Sequence, residues 1–324
     1  MQKSIYFPNL NGIRFIAAAM VLWSHIELTL AELKYPSFES FWLILLGDLG
    51  VALFFTLSGF LITFLLLSEK KETNHISIKK FYIRRILRIW PLYFLIITLG
   101  LFILPNISFL NTSESIKFDG NFYKKAVLFL LILPNIVVFF FGRVPFISQT
   151  WSIGVEEQFY LIWPWLIKKL KWFLTFLILS YIMFLFYEAF PSIIYLFAHK
   201  LINVSMDQVI HFGQLFNFGA ISIGSIGAFY YFNKNHYFLK TLHSNYVFIL
   251  SLLALAILYC WSAYHIYYYM RDLFSFFFMI IIVYLATAPS PLINLNQKSL
   301  NYLGKISYGI YIPLYIYING NTDC

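Results

Sequence analysis

The sequence predicts an all-α, polytopic integral membrane protein, a bundle of about ten transmembrane helices that forms one domain over residues 1–324. Composition is the first observation behind this prediction. Hydrophobic residues make up 60% of the chain and charged residues only 11%, whereas soluble domains contain about 25% charged residues. The second observation is that nearly every long apolar run reaches the ~20 residues that a helix needs to cross a bilayer. No polar segment is long enough to form a soluble domain.

The net charge of +9 is interpreted within this membrane class. Without a soluble basic face, it does not indicate binding to nucleic acid. It is typical of cytoplasmic flanks that contact anionic lipid, or of a pocket for an anionic substrate. Two cysteines, Cys260 and Cys324, give neither a disulfide framework nor a zinc-binding spacing. The apolar stretch after Arg14 lacks a small-residue cleavage site, so we expect the first helix to remain in the mature protein.

Apolar runs separated by polar breaks define the predicted spans, in chain order. They lie at 12–32, 46–68, 82–105, 124–142, 151–168, 171–190, 208–232, 246–264, 272–288 and 303–319.

The distribution of lysine and arginine predicts the orientation. Seven basic residues lie between the end of the second span and the first turns of the third: Lys70, Lys71, Lys79, Lys80, Arg84, Arg85 and Arg88. The segment between the first two spans is instead acidic, so the positive-inside rule places the N-terminus in the cytoplasm. Strict alternation then places Lys168, Lys169 and Lys171 outside, against the rule. Either a hydrophobic segment in the middle of the chain does not cross, or the rule is overridden locally.

Arg14 and His25 form the first polar feature within a predicted span. They are 11 positions apart in the sequence, which at 100° per residue is three turns plus about 20°, so they share one helix face. The same spacing places them ~16 Å apart, about half of the ~30 Å hydrocarbon thickness. One interpretation is a snorkelling arginine and a hydrogen-bonded core histidine. The other interpretation is a functional site, because histidine can take and return a proton near neutral pH.

A cluster of arginines opens the third span in the segment FYIRRILRIWPLYF. Arg85 and Arg88 stand at i and i+3, and Arg84 and Arg88 at i and i+4, which places them close together on the helix surface. Guanidinium groups form forked, charge-assisted hydrogen bonds to phosphate, so the cluster suits a phosphorylated ligand. Such clusters also arise from the positive-inside rule alone.

Ser58 and Gly59 lie in the apolar segment GDLGVALFFTLSGFLI, from Gly47 to Ile62. Small residues let membrane helices approach closely, so the serine is interpreted as a packing contact. The segment lacks the G-x-S-x-G pattern of a hydrolase, and Ser58 is therefore not predicted to be a nucleophile.

Glu156 and Glu157 lie in TWSIGVEEQFYLIWP, from Thr150 to Pro164, which is otherwise apolar and aromatic. A carboxylate at membrane depth costs a few kcal/mol and usually marks a functional site. Acidic residues in a first helical turn can also simply complement the helix dipole. Adjacent helix positions diverge by ~100°, so only one of the pair can face a given cavity. We predict that Glu156 faces inward, with Phe159 and Trp163 as walls.

Taken together, these segments resemble the acyltransferase 3 family of multi-pass membrane acyltransferases. The resemblance lies in Arg14 and His25, the run from Leu53 to Ile62, the pair Arg85 and Arg88 followed by WPLYF, and the run from Trp151 to Pro164. It is dense over residues 5–165 and weak from 170 to 300.

The resemblance implies transfer of an acyl group, usually acetyl, from a cytoplasmic acyl-CoA to a hydroxyl of a carbohydrate or similar acceptor. It implies His25 as the catalytic base or acyl relay, with Arg14 as its partner. Arg85 and Arg88 would contact the donor phosphates, and Glu156 or Glu157 would orient the histidine or the acceptor. No metal and no permanently bound cofactor are expected. The expected location is the bacterial cytoplasmic membrane.

One departure from the family pattern lies near the C-terminus. Family members commonly continue ISYGIY into an apolar stretch with a histidine, whereas here Ile306 to Tyr311 is followed by IPLY and a polar tail. An impaired relative is therefore one alternative. A proton-coupled transporter is another, although the chain shows no inverted repeat of the kind found in many secondary transporters. The acceptor, the acyl chain length and the oligomeric state are left open by the sequence.

Overall fold

A computed structural model describes residues 7–32, 35–38, 41–106, 120–144, 146–202, 205–216, 218–262 and 271–310. Within these ranges all regular secondary structure is helical, which confirms the all-α class. The α-helices, numbered α1 to α14 in chain order, are Leu10–Glu32, Phe41–Thr73, Ile78–Thr98, Phe122–Leu130, Pro134–Phe141, Trp151–Lys169, Phe173–Ala189, Pro191–Ile202, Met206–Leu215, Phe218–Phe232, His236–Leu242, Asn245–Ser262, Arg271–Thr287 and Lys298–Ile310.

Fewer helices than predicted have the length and composition of a membrane span. Three segments of the described chain qualify: Trp42–Thr73, Ile78–Asn106 and Asn245–Ser262. A fourth is obtained if α7 and α8, which meet at an angle of 89°, count as one span. The prediction of about ten spans is therefore not confirmed. Several of the predicted spans carry charges or are broken into short helices, and the end of the span predicted at 303–319 lies outside the described residues.

The span predicted at 124–142 is two short helices. α4 and α5 are separated by a turn at Leu131–Leu133, where Ile132 has a φ of 59° and Pro134 begins the next helix. With nine and eight residues, neither helix is longer than ~14 Å, about half of the hydrocarbon thickness. The chain therefore does not cross as one helix here.

This break resolves the conflict over the lysines that follow α6. Lys70 Nζ at the end of α2 donates a hydrogen bond to the carbonyl oxygen of Ile167 (2.8 Å), and Lys168 Nζ lies 3.5 Å from His75 Nε2. α6 therefore ends at the same end of the bundle as the segment Lys70 to Arg88, which we call the basic end. The lysines of both segments lie together because α4 and α5 do not add a crossing.

α2 is the central helix of the bundle and meets α10 at very short range. A Cβ atom on Gly59 would lie 2.1 Å from the carbonyl oxygen of Ile221, and one on Gly224 would lie 2.0 Å from that of Thr56. Only glycine permits this approach of two backbones. Thr63 Oγ1 and Ser225 Oγ share a hydrogen bond of 2.8 Å across the same contact. The position of α2 residues near Gly59 is therefore fixed by the backbone of α10.

Candidate active site

A cavity of about 220 Å³ lies between α1, α2, α3, α6 and α14, towards the basic end. Its walls are partly apolar, from side chains such as Leu57, Leu61 and Ile89. Its polar lining is Asn11, Arg14, Ser58, Arg85, Arg88, Glu156, Tyr160 and Ser307. The fold thus brings together residues from five helices that are up to about 300 positions apart in the sequence. We call this the arginine cavity.

The arginine cavity has an excess of positive charge. Three guanidinium groups, of Arg14, Arg85 and Arg88, and one carboxylate, of Glu156, lie among its described lining residues. The lining therefore carries a net charge of +2 when these groups are ionised. Arg88 is exposed, while Arg14 and Arg85 are half-buried. Like charges that converge on a partly enclosed space favour an anionic ligand, because the ligand relieves their mutual repulsion.

Arg85 is held by two aromatic rings. Its guanidinium carbon lies 5.5 Å from the ring centre of Phe81 and 5.2 Å from that of Tyr160, both within the range of cation–π attraction. Its Nε atom is buried and has no hydrogen-bond partner among the described residues. A buried donor without a partner is costly. Arg85 therefore has donor capacity that a ligand in the cavity can satisfy.

Arg14 is held by a chain of amide side chains. Its Nη1 donates to Asn11 Oδ1 (2.9 Å), and Asn11 Nδ2 donates to Asn301 Oδ1 (3.4 Å). Asn301 lies on α14, whose Gly304 is packed so tightly against α1 that a Cβ atom there would lie 2.0 Å from the carbonyl oxygen of Asn11. The last described helix therefore supports the arginine of the first.

Glu156 faces the arginine cavity and accepts two hydrogen bonds. Ser58 Oγ donates to its Oε1 (2.7 Å), and Tyr160 Oη donates to its Oε2 (3.3 Å). Both oxygens act as acceptors, as those of an ionised carboxylate do. Arg85 and Arg88 lie close enough to act on Glu156 electrostatically. The carboxylate is therefore fixed in place at the edge of a cationic space.

Glu157 points elsewhere, as expected for its neighbouring helix position. Its Oε2 accepts a hydrogen bond from Trp90 Nε1 on α3 (3.1 Å), and it is not among the cavity-lining residues. The predicted walls are wrong: Phe159 and Trp163 do not line the cavity. Their ring centres lie 4.4 Å apart in the buried core, where Trp163 Nε1 donates to Thr63 Oγ1 (2.7 Å). Tyr160, four positions after Glu156, forms the wall instead.

Ser58 is a site residue that the sequence did not identify. The predicted packing contact is made by its neighbour Gly59, which touches α10, whereas Ser58 lines the cavity and bonds to Glu156. The two residues are adjacent and so point in different directions, which the sequence alone could have suggested. Its partner is 98 positions away, and nothing in the sequence pairs them.

His25 lies outside the arginine cavity. It is half-buried on α1 and is not among the cavity-lining residues. At 1.5 Å per residue it is ~16 Å along the helix from Arg14, towards the end opposite the basic end. Arg143, after α5, acts on it electrostatically. The structure thus places Arg14, Arg85, Arg88 and Glu156 together and separates His25 and Glu157 from them.

A second polar region lies near the far end of α2. Arg271 Nε lies 3.5 Å from Glu188 Oε1, and these side chains are only 9% and 5% exposed. Glu188 Oε2 accepts a hydrogen bond from the backbone N–H of Asp272 (2.8 Å), and Arg271 donates to the carbonyl oxygen of Gly213. Arg271 also acts electrostatically on Asp48, which is ~33 Å along α2 from Lys70. We call this the buried ion cluster.

The described part of the chain contains no group of three or more His, Cys, Asp and Glu side chains that could hold a metal ion.

Comparison with known proteins gives a consistent family. A family model described as an acyltransferase domain matches residues 7–322. The peptidoglycan O-acetyltransferase OatA of Listeria monocytogenes serovar 1/2a is 32% identical over 173 residues, which are 52% of this chain and 25% of that protein. YrhL of Bacillus subtilis strain 168, named as a candidate peptidoglycan O-acetyltransferase, is 30% identical over 50% of this chain and 24% of its own length. No solved structure matches the chain.

Proposed function

The chain belongs to the acyltransferase 3 family, and we propose that it transfers an acetyl group from acetyl-CoA to a hydroxyl of an envelope carbohydrate. The matched segments cover only about a quarter of the length of the relatives named above. Their named activities therefore serve here as support for the reaction type, O-acetylation. The acyl-CoA donor, the carbohydrate acceptor and the site residues are our proposal.

The arginine cavity is the observation that carries the proposal. A phosphorylated donor has several negative charges, and the cavity offers three guanidinium groups against one carboxylate. The Nε atom of Arg85, whose guanidinium group lies beside two aromatic rings, has no partner among the described residues and is a donor that a phosphate oxygen can satisfy. The apolar part of the lining suits the uncharged arm that carries the thioester. Arg85 and Arg88 are the proposed donor contacts.

The other site residues are assigned to the acceptor half of the reaction. His25 is proposed as the base or relay that serves the acceptor hydroxyl, because histidine can accept and return a proton near neutral pH. Its position farther along α1 than Arg14 agrees with a donor and an acceptor that approach from opposite ends of the helix. Glu156 is the proposed carboxylate of the transfer step, and Glu157 supports it from the side of α3.

The proposed location is the bacterial cytoplasmic membrane, with the N-terminus and the basic end in the cytoplasm. Lys70 and Lys168 lie at one end of the bundle, and the positive-inside rule assigns such an end to the cytoplasm. This orientation opens the arginine cavity towards the compartment in which acyl-CoA is made.

Purified protein in lipid vesicles, supplied with acetyl-CoA labelled in the acetyl group, tests the proposal. We expect CoA release and appearance of label on an added glycan, and loss of both in Arg85→Met. Coupled solute flux without CoA release would instead support a transporter. The absence of CoA release, of transfer and of flux in folded protein would support an inactive relative. A mass shift in the surface polysaccharide after gene deletion would identify the acceptor.

A further inference from the structure

We propose that Ser58 is the nucleophile of the donor half-reaction and carries the acyl group as a serine ester before the acceptor receives it. The inference rests on the proposed function, since it needs an acyl thioester as donor. Its basis is a hydroxyl and a carboxylate that meet inside the arginine cavity. Ser58 Oγ donates to Glu156 Oε1 at 2.7 Å, and both residues line the space assigned to the donor.

Ser58 and Glu156 match the arrangement of an activated nucleophile. Such a site has a hydroxyl within about 2.6–3.2 Å of a base, and a third group that orients the base. The third group here is Tyr160, whose Oη donates to the other oxygen of Glu156 (3.3 Å). Each oxygen of the carboxylate therefore accepts a hydrogen bond. The hydrogen bond from Ser58 therefore points its proton at a base of fixed position.

The backbone next to Ser58 is packed directly against α10. Its neighbour Gly59 lies against the carbonyl oxygen of Ile221, with no room for a Cβ atom. A nucleophile needs to be held at a fixed distance from the reacting carbon, and this backbone contact provides that. The other serine of the cavity, Ser307, donates instead to the carbonyl oxygen of Gly304 within its own helix (2.9 Å). Ser58 is thus the cavity serine whose hydroxyl is paired with a carboxylate.

The chemistry balances with the donor as the only co-reactant. Ser58 Oγ attacks the thioester carbonyl carbon while Glu156 takes the hydroxyl proton, and the C–S bond then breaks. The thiolate of the donor leaves and takes the proton from Glu156, giving a free thiol and an acyl ester on Ser58. In the second half-reaction the acceptor hydroxyl attacks the ester carbon, the bond to Oγ breaks, and the acceptor proton returns to Ser58 by way of Glu156. In this scheme Glu156 is the base at the ester carbon, and His25 acts on the acceptor outside the arginine cavity, before the acceptor reaches the ester.

The position of His25 gives a reason for two half-reactions. It lies ~16 Å along α1 from Arg14 and is not among the residues that line the arginine cavity. With a serine ester as intermediate, the donor and the acceptor do not have to occupy one space at one time. The donor leaves as a free thiol before the acceptor enters.

The test is a single-turnover experiment without acceptor, using acetyl-CoA labelled in the acetyl group and the full chain in lipid vesicles. We expect a burst of CoA equal to the amount of active protein, and label on the peptide that contains Ser58. Ser58→Ala should abolish the burst, the adduct and steady-state transfer. Ser58→Cys should retain an adduct as a thioester. Ser251→Ala, which removes a buried serine hydroxyl on α12, is the matched control and should behave as wild type.

The inference is overturned if Ser58→Ala, folded as judged by gel filtration, transfers acetyl within a few-fold of the wild-type rate. It is also overturned if wild-type protein transfers acetyl to the acceptor yet shows neither a burst nor a labelled peptide. A serine that only holds Glu156 would give the second result with a reduced rate in Ser58→Ala. Failure of the proposed function looks different, because wild-type protein would then release no CoA with any acceptor.

Discussion

Both the arginine cavity and the buried ion cluster contain arginine, but the two regions differ in how far carboxylates of the protein balance its charge. In the cluster, Arg271 faces Glu188 and donates to the backbone of Gly213, and almost none of the ion pair is exposed. In the cavity, three guanidinium groups lie with one carboxylate among the described lining residues, and Arg88 is exposed. The ion pair and hydrogen bonds of the cluster join α7, α9 and α13. The cavity has more cationic than anionic side chains among its described lining residues.

This contrast separates charges that are matched within the protein from charges that are not. Both regions contain arginine and carboxylate, and both lie within helices. The distinction is whether the charges are matched within the protein. A matched pair resists change because removal of one partner leaves the other buried and uncompensated. Arginines that outnumber the carboxylates around them can still form ion pairs with an anionic ligand. Variants at the two sites therefore test the comparison directly. Those in the buried ion cluster should lose stability, and those in the arginine cavity should lose activity.

The largest effect is expected at His25, which belongs to neither region. His25→Ala should abolish acyl transfer, because the side chain proposed to serve the acceptor hydroxyl is lost, while expression and thermal stability remain near wild type. Transfer assays and gel filtration after heating check the two parts. Wild-type activity in this variant would remove His25 from the mechanism, and loss of folded protein would assign it to the structure.

A large effect on stability is expected at the buried ion cluster. Arg271→Met leaves Glu188 buried without its cation, which costs roughly 3–5 kcal/mol. The double variant Arg271→Met with Glu188→Leu should recover most of that loss. The matched variant Arg85→Met should keep its thermal stability in detergent and lose donor binding. Equal stability losses in Arg85→Met and Arg271→Met would erase the distinction between the two regions.

Glu156, which lines the cavity, and Glu157, which does not, give a second comparison. Glu156→Gln keeps the shape of the side chain and removes its charge, so we expect kcat/KM to fall by two decades or more, about 2.7 kcal/mol at 1.36 kcal/mol per decade. Glu157→Gln, whose carboxylate faces Trp90, should lose less. Steady-state kinetics with labelled donor measure both. The reverse ranking would move the catalytic role to Glu157, and full activity in both would leave the segment a structural part.

The smallest effect is expected for a change that keeps the charge of the cavity. Arg88→Lys retains a cation but loses the forked geometry of the guanidinium. The apparent KM for acyl-CoA should rise by more than kcat falls, and the KM for the acceptor should change little. If only the acceptor KM moves, Arg88 does not contact the donor.

The all-α class and some of the spans could be predicted from the sequence, because hydropathy reports directly on membrane helices. The spans predicted at 46–68 and 82–105 correspond to Trp42–Thr73 and Ile78–Asn106. The break in 124–142 was missed because hydropathy does not change there. The signal was Pro134, since the residue before a proline is disfavoured in a helix. Whether a helix crosses the membrane also depends on which other helices pack against it, and a single sequence does not specify that packing.

The candidate site could be predicted only in part, for a related reason. Arg14, Arg85 and Glu156 stand out because a charge in an apolar run is conspicuous. Ser58 does not stand out, since its significance comes from a partner 98 positions away. The pair of Arg271 and Glu188 was missed in the same way, although both are charged. Residue type can be read from a sequence, but the matching of one charge by another requires the fold.

The contact of α2 with α10 bears on how the protein responds to the lipid around it. Helices tilt when bilayer thickness changes, at a cost of fractions of a kcal/mol per Å of hydrophobic mismatch. Side chains between two helices usually deform and let each helix tilt by itself. Gly59 and Gly224 lie directly against carbonyl oxygens, so no deformable layer separates these two backbones. α2 and α10 must therefore tilt as a unit, and lipid chain length should have little influence on the position of Ser58.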